Sequence, residues 1–178
     1  MSEKEIEKEL CNFFESYGFE TKQQVYCKKD GKRNFLDVIV YKGDFAFGIE
    51  LKTKAIDSGT KMAKWCKQAA RYSRIEWKDF GRIPIFITPS ISDKFNQEET
   101  RSDKFYRHDI DTDTHHNINS FITSTYGIGE FRRLKDKRVL MYNNFCIAYF
   151  YNNGQVFINN KNYIDTLKKI NSLENKLY

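Results

Sequence analysis

Three charged residues stand where the most strand-like part of the chain should be apolar. In "FLDVIVYKGDFAFGIELKTK", residues 35–54, Asp37 interrupts one apolar run, and Glu50 and Lys52 close the next. Strand side chains alternate between faces. Phe45, Phe47, Ile49 and Leu51 therefore share one face of the second run, and Ala46, Gly48, Glu50 and Lys52 the other. The small residues leave room on that second face, with a carboxylate and an ammonium side by side at its end. The tight Lys42-Gly43 connection folds one run back on the other, which lets Asp37 approach Glu50. Two carboxylates forced together away from water repel each other and lose hydration. A divalent cation relieves both penalties, and hard oxygen ligands suit Mg²⁺ or Mn²⁺. Such an ion binds a phosphate oxygen, orients water and lowers its pKa. Lys52 would point at the same spot, to hold the attacking water or stabilise charge on the phosphate. The plainer alternative is charge on an exposed edge strand, which guards against aggregation.

Two helices flank this segment. Residues 2–17 predict a helix with Ile6, Leu10, Phe13, Phe14 and Tyr17 on one stripe. Ser2 with Glu5 forms a capping-box start, and Gly18 a stop. At about 100° per residue, Glu7 and Glu9 fall on opposite flanks of that stripe. Either could reach the sheet, and geometry does not choose between them. A second helix is expected from Ser58 or Gly59 to about Trp77, with Met62, Cys66, Ala69 and Ser73 inward and Trp65 beside them. Lys61, Lys64, Lys67, Arg71, Arg74 and Lys78 spread over its other face, with Gln68 and Tyr72 at the border. That face could track a phosphate backbone, with Gln68 bonding phosphate or base and Tyr72 stacking or bonding phosphate. Lys54, just past Lys52, joins the candidate nucleic-acid contacts.

The rest of the chain supplies the frame. Strands are expected over residues 22–29, 35–41, 44–52 and 83–89, the last a continuous apolar run suited to burial on both faces. The first half thus reads α-β-β-β-α-β. Residues 90–120 are polar, with little core signal. "RVLMY", "FCIAYFY" and "QVFIN" predict three further strands, with "NNG" at 152–154 as a hairpin turn. Residues 163–177 predict a closing helix with Ile164, Leu167, Ile170 and Leu173 inward. The expected class is α/β (α+β): a mixed sheet flanked by helices, with a C-terminal β-hairpin and helix, in one domain of residues 1–178. Residues 1–88 would be its catalytic core.

Asp37, twelve residues, then Glu50-Leu51-Lys52, on strands after a Glu-bearing helix, resembles the PD-(D/E)XK nuclease superfamily, with its restriction-endonuclease-like αβββαβ core. Leu36 stands where that family often has Pro. "EKELCNFFESYGF", residues 7–19, is similar to the first helix of archaeal-type Holliday-junction resolvases, as is "FGRIPIFIT" to their entry into the fourth core strand. That likeness selects Glu7 over Glu9. Gln68 and Tyr72 also resemble the Gln-x₃-Tyr signature of RecB-type nucleases. Some members of that branch hold an iron–sulfur cluster through four Cys; the spacing of Cys11, Cys27, Cys66 and Cys146 does not match, so no cluster is expected. The resemblance covers about half the chain. It implies Mg²⁺ (or Mn²⁺) held by Asp37, Glu50, the Leu51 carbonyl and Glu7, with Lys52 assisting the nucleophile. It implies phosphodiester hydrolysis, with DNA the expected substrate, by junction resolution, nicking or restriction-like cutting. The alternatives are a RecB-like exonuclease, an RNA endonuclease, or a non-catalytic nucleic-acid- or protein-binding module on the same fold. A homodimer, which would let both strands be cut, is compatible with it.

Composition fits this picture without demanding it. A formal net charge of +6 permits a polyanionic partner. The four cysteines read as reduced thiols in a cytoplasmic-type protein, and no apolar run is long enough to span a membrane. "HDIDTDTHHN", residues 108–117, lacks the Gly and the final Glu of an EF-hand loop and reads as a solvated loop. "YGIGEFRRLKDKR", residues 126–138, is not a P-loop; it reads as a surface hairpin, or as a secondary nucleic-acid contact.

Overall fold

Ser2 and Glu5 cap each other's backbone at the start of α1 (Glu3–Ser16), with Ser2 N–H donating to Glu5 at 2.6 Å and Glu5 N–H to the Ser2 hydroxyl at 3.3 Å. Gly18, at φ +86°, turns the chain out of the helix. The computed structural model describes residues 2–52, 59–88, 129–142 and 145–172, and only the backbone over 59–63. After α1 come β1 (Glu20–Lys29), β2 (Lys32–Lys42), β3 (Phe45–Leu51), α2 (Gly59–Ser73) and β4 (Ile85–Thr88). The α-β-β-β-α-β order expected for the first half is the order found. There follow β5 (Gly129–Arg133), β6 (Lys137–Tyr142), β7 (Phe145–Tyr151), β8 (Val156–Ile158) and α3 (Asn160–Ser172).

The strands described form one mixed sheet in the order β1 to β8. The β3–β4 and β4–β5 pairs are parallel and the others antiparallel. Helices cover both faces, which makes this a mixed α+β fold. On one side Leu10 and Phe14 of α1 and Tyr163 and Ile170 of α3 share a core with Phe47, Ile49, Phe86 and Phe150. On the other, Trp65, Cys66, Ala69 and Tyr72 of α2 pack with Leu36, Ile39, Ile85 and Ile87. Every residue of β3 is buried, as a strand covered on both faces requires. Phe14 meets Phe47 and Phe150 edge-to-face at 5.4 and 5.2 Å. These contacts, each contributing about 1 kcal/mol beyond area burial, fix α1 against the sheet and so fix the position of Glu7.

Several expectations change. The second helix ends at Ser73, not near Trp77, because the Trp77 indole N–H is drawn back to the Tyr72 carbonyl at 3.0 Å. The closing helix begins at Asn160 and buries Tyr163, Thr166 and Ile170, while Ile164 is 50% exposed. The Tyr163 hydroxyl bonds both the N–H and the carbonyl of Ala46, which sets the rotation of the helix. Residues 129–133 do form a hairpin with β6, exposed at its 133–136 tip, but its first strand is inserted between β4 and β6 with Gly129, Glu130 and Phe131 buried rather than lying on the surface. "GEFRR" hides its strand character because Glu130 is buried against Arg132 at 2.8 Å, leaving Phe131 as the only apolar side chain. Gly129 is required by packing, not by phosphate. A Cβ there would lie 2.5 Å from Phe86 Cδ1 and 2.8 Å from the Ile85 carbonyl oxygen. Gly129→Ala is expected to destabilise the fold by about 2–3 kcal/mol, measured as a lower urea midpoint with unchanged slope.

No described helix is long and apolar enough to cross a membrane. The four cysteines are free, with Cys11 and Cys66 buried. Residues 90–120, including Asp109, Asp111, Asp113 and the paired histidines, lie outside the described residues.

Candidate active site

The site begins at a fault in the sheet. β2 and β3 pair as far as Val38 opposite Ile49. The next pair would be Asp37 with Glu50, and there the ladder stops. β1 and β2 pair at Gln23–Val38 and again at Val25–Leu36, skipping Gln24 and Asp37 between them. Leu36 and Ile39 both lie in the α2-side core, although three residues apart they would face opposite ways on a regular strand. The alternation therefore slips at Asp37, and Gln24 opposite it takes a left-handed φ of +48°. The slip turns the Asp37 carboxylate to the end of β3, where Oδ2 accepts the Leu51 N–H at 2.7 Å. A side chain thus replaces the missing backbone partner of Leu51. On the other edge, Lys52 N–H donates to the Thr88 carbonyl at 2.9 Å, so β3 stays anchored to β4.

Glu50 is buried on the α2 side, as the alternation predicted. Its Oε1 accepts from Lys52 Nζ at 3.3 Å and from Gln68 Nε2 at 3.2 Å. Lys52 Nζ also donates to Gln68 Oε1 at 2.6 Å, and Gln68 Nε2 to the Tyr72 hydroxyl at 3.3 Å. The other Glu50 oxygen, Oε2, is buried with no hydrogen-bond partner among the described residues. Burial pushes the Glu50 carboxyl up to about 7, and the charge of Asp37 adds to that rise, while Lys52 opposes it. A carboxyl in this setting keeps its proton to higher pH, or takes a cation in the proton's place.

Glu7 is buried at 6% exposure, whereas Glu9 is exposed. The tertiary structure thus separates two residues that helix geometry left equivalent. Glu7 Oε2 accepts from Gln24 Nε2 at 3.0 Å, and the same nitrogen lies 3.4 Å from Asp37 Oδ1. Gln24 thereby links the helix carboxylate to the strand carboxylate. Sequence reasoning missed this residue, because Gln24 ends an all-polar run, residues 20–24, in which no pattern singles it out. A cleft of about 800 Å³ opens between α1 and β1, lined by Glu7, Cys11, Gln23 and Gln24 among others. Gln24→Ala is expected to destabilise by about 1 kcal/mol through loss of bonds to two carboxylates. Gln24→Gly should cost less, because glycine adopts the positive φ freely. Urea denaturation of the two variants checks the order.

The fit of these groups to a divalent cation has two sides. The donors are hard oxygens, and Glu50 Oε2 is an orphaned acceptor near a second carboxylate, which suits Mg²⁺ or Mn²⁺. Among the described residues, however, no three His, Cys, Asp or Glu side chains converge tightly enough to hold one ion unaided. Asp37 and Glu50 form the nearer pair, with Glu7 one carboxamide away. Leu51 buries its side chain in the α1-side core and reaches the site through its backbone.

The candidate nucleic-acid contacts divide. Lys64 and Lys67 are exposed, and Arg71 is half-buried with its guanidinium 5.3 Å from the Tyr72 ring centre. Arg74, expected on the basic face, is buried instead and donates to the Ala70 carbonyl at 2.7 Å. Tyr72 is 5% exposed, its ring edge-on to Trp77 at 5.8 Å. Of the two roles expected for Tyr72, the buried ring speaks against stacking on a base, while its hydroxyl, 3.3 Å from Gln68 Nε2, is the part that meets the site. Gln68 is occupied by Lys52 and Glu50. The Lys54 and Lys61 side chains lie outside the described residues. Comparisons of the chain with models of known protein families, with curated proteins and with solved structures give no match.

Proposed function

We propose that this protein is a Mg²⁺-dependent nuclease of the PD-(D/E)XK kind that hydrolyses phosphodiester bonds in DNA. The observation that carries the proposal is the buried Glu50 carboxylate, which has one oxygen shared by Lys52 and Gln68 and the other without a partner among the described residues, beside Asp37. Asp37 and Glu50 would hold the ion, and Glu7 would complete the site from the helix. When bound, the ion would supply a polarised phosphate oxygen and a water of lowered pKa. Lys52 is held by Glu50 and Gln68 with its ammonium at the mouth of the pair, where it can donate to the attacking water or to the phosphate. Gln68 orients Lys52 and is itself fixed by the Tyr72 hydroxyl. The exposed Lys64 and Lys67 would meet the phosphate backbone.

The test is incubation with plasmid, single strands and a four-way junction in Mg²⁺, Mn²⁺ or EDTA. Cleavage that needs metal and stops in EDTA is the expected result. Binding without cleavage in any metal would instead assign a non-catalytic nucleic-acid module, and cleavage of RNA alone would change the substrate class.

A further inference from the structure

The β1–β2 hairpin has two unlike faces. Val25, Cys27 and Leu36 pack toward the α2-side core, and Lys29 Nζ ties the same side down at the Arg74 carbonyl, 3.3 Å away. On the opposite face Tyr26 stands across from Phe35, and Lys28 across from Arg33. All four are exposed. The two rings lie 5.1 Å apart, tilted by 45°, and each residue is 48% exposed. The aromatic pair sits two residues from Gln24 on β1 and two from Asp37 on β2, about 7 Å along each strand. It faces the side on which Gln24 meets Glu7.

Folding alone does not account for this face. The two rings cover only part of each other and leave about half of their apolar surface in water. Like charges directly opposite one another weaken a strand pair, and neither Lys28 nor Arg33 forms an ion pair among the described residues. A polyanion with flat apolar groups resolves both. The cations meet phosphates and the rings meet bases, the pairing on which single-stranded nucleic-acid binding rests. Asp30, at the hairpin turn between Lys29 and Lys32, is the carboxylate nearest in sequence to Lys28 and Arg33.

We infer that Tyr26 and Phe35 form a stacking platform for an unpaired base of the DNA strand whose phosphate enters the carboxylate site, with Lys28 and Arg33 holding the phosphates beyond it. This inference rests on the proposed nuclease function and adds to it a preference for DNA with a single-stranded segment. An antiparallel second copy of the chain is the competing occupant of the face.

Fluorescence anisotropy in EDTA, with a blunt duplex and the same duplex carrying a single-stranded flap, separates these cases. The wild-type protein is expected to prefer the flap. Tyr26→Ala with Phe35→Ala should weaken flap binding by roughly 5- to 150-fold and duplex binding by less than about 2-fold, while Tyr26→Phe retains wild-type affinity. Lys28→Ala with Arg33→Ala should weaken both and lower the logarithmic salt slope on the duplex by about 2. The aromatic variant should melt no more than about 4 °C below wild type, the loss of one half-exposed cross-strand pair, and the Lys28→Ala with Arg33→Ala variant should melt no lower than wild type. If the wild type binds both substrates and the aromatic variant loses nothing, or loses both equally, the platform is overturned and the nuclease proposal stands. If the wild type binds neither, the platform is overturned, and cleavage in Mg²⁺ or Mn²⁺ decides the nuclease proposal separately. Sedimentation that reveals a dimer dissociated by the aromatic double variant would assign the face to a second copy and overturn the platform.

Discussion

Asp37→Asn should lower metal-dependent cleavage by about 10³-fold and at the same time make the metal-free protein more stable at pH 8. The two effects share one cause. Asp37 stands beside a buried Glu50, and its charge helps to raise the Glu50 carboxyl. Asparagine has nearly the same shape, and its oxygen can still accept the Leu51 N–H that Asp37 accepts at 2.7 Å; its amide forfeits only the longer contact from Gln24 at 3.4 Å, and Gln24 keeps Glu7. The fault in the sheet is therefore preserved, while the like-charge repulsion and one hard anionic ligand disappear. Asp37→Ala would confuse the two, because it also strands the Leu51 amide. Cleavage, duplex binding and thermal melting of Asp37→Asn, measured together, give the check. Loss of cleavage with retained binding and a higher melting temperature is the expected pattern. Normal cutting by this variant would remove Asp37 from the site.

The stability of the metal-free protein should fall as pH rises from about 4.5 to about 7, through Glu50. The folded carboxyl keeps its proton up to about 7, whereas the unfolded one releases it near 4.5. Between those values the folded state binds more protons, so unfolding becomes easier as pH rises. The contribution is fully present below about 4.5 and lost above about 7. Over that window it amounts to about 3 kcal/mol, or roughly 6–12 °C in melting temperature for a chain of this size. Glu50→Gln should remove this component and be the more stable protein at pH 8. Mg²⁺ or Mn²⁺ at millimolar concentration should recover stability in the wild type at pH 8 and not in Glu50→Gln. Melts across pH, with and without metal, in both proteins isolate the term from other titrations. Parallel pH profiles for the two proteins would exclude Glu50 as the strained group.

These predictions rest on different depths of information. The capping box at Ser2, the alternation that places Glu50 and Lys52 on one face of β3, and the turn at 152–154 are local patterns, and each is found where the sequence predicts it. The αβββαβ order was legible for the same reason, since periodicity and turn residues act over a few positions. Buried β5 was not, because Glu130 and Arg132 neutralise each other only after the strand is inserted. Nor was the burial of Arg74 or of the Tyr72 ring: helix periodicity places a residue on a face but does not say what covers that face.

What the sequence by itself determined is the set of elements and the chemical types at the centre of the molecule: two strand carboxylates, an ammonium, a helix of glutamates, and a Gln–Tyr pair on the next helix. The tertiary structure alone decided which of them meet. Glu7 was separated from Glu9 by the packing of α1, through Phe14, onto β3 and β7. Gln24 was recruited because β1 and β2 fall out of step together at positions thirteen residues apart. Asp37 turned toward β3 because Leu51 needed a hydrogen-bond partner where the ladder ends. Each of these depends on long-range contact, where burial and hydrogen-bond satisfaction act between segments that no local pattern connects.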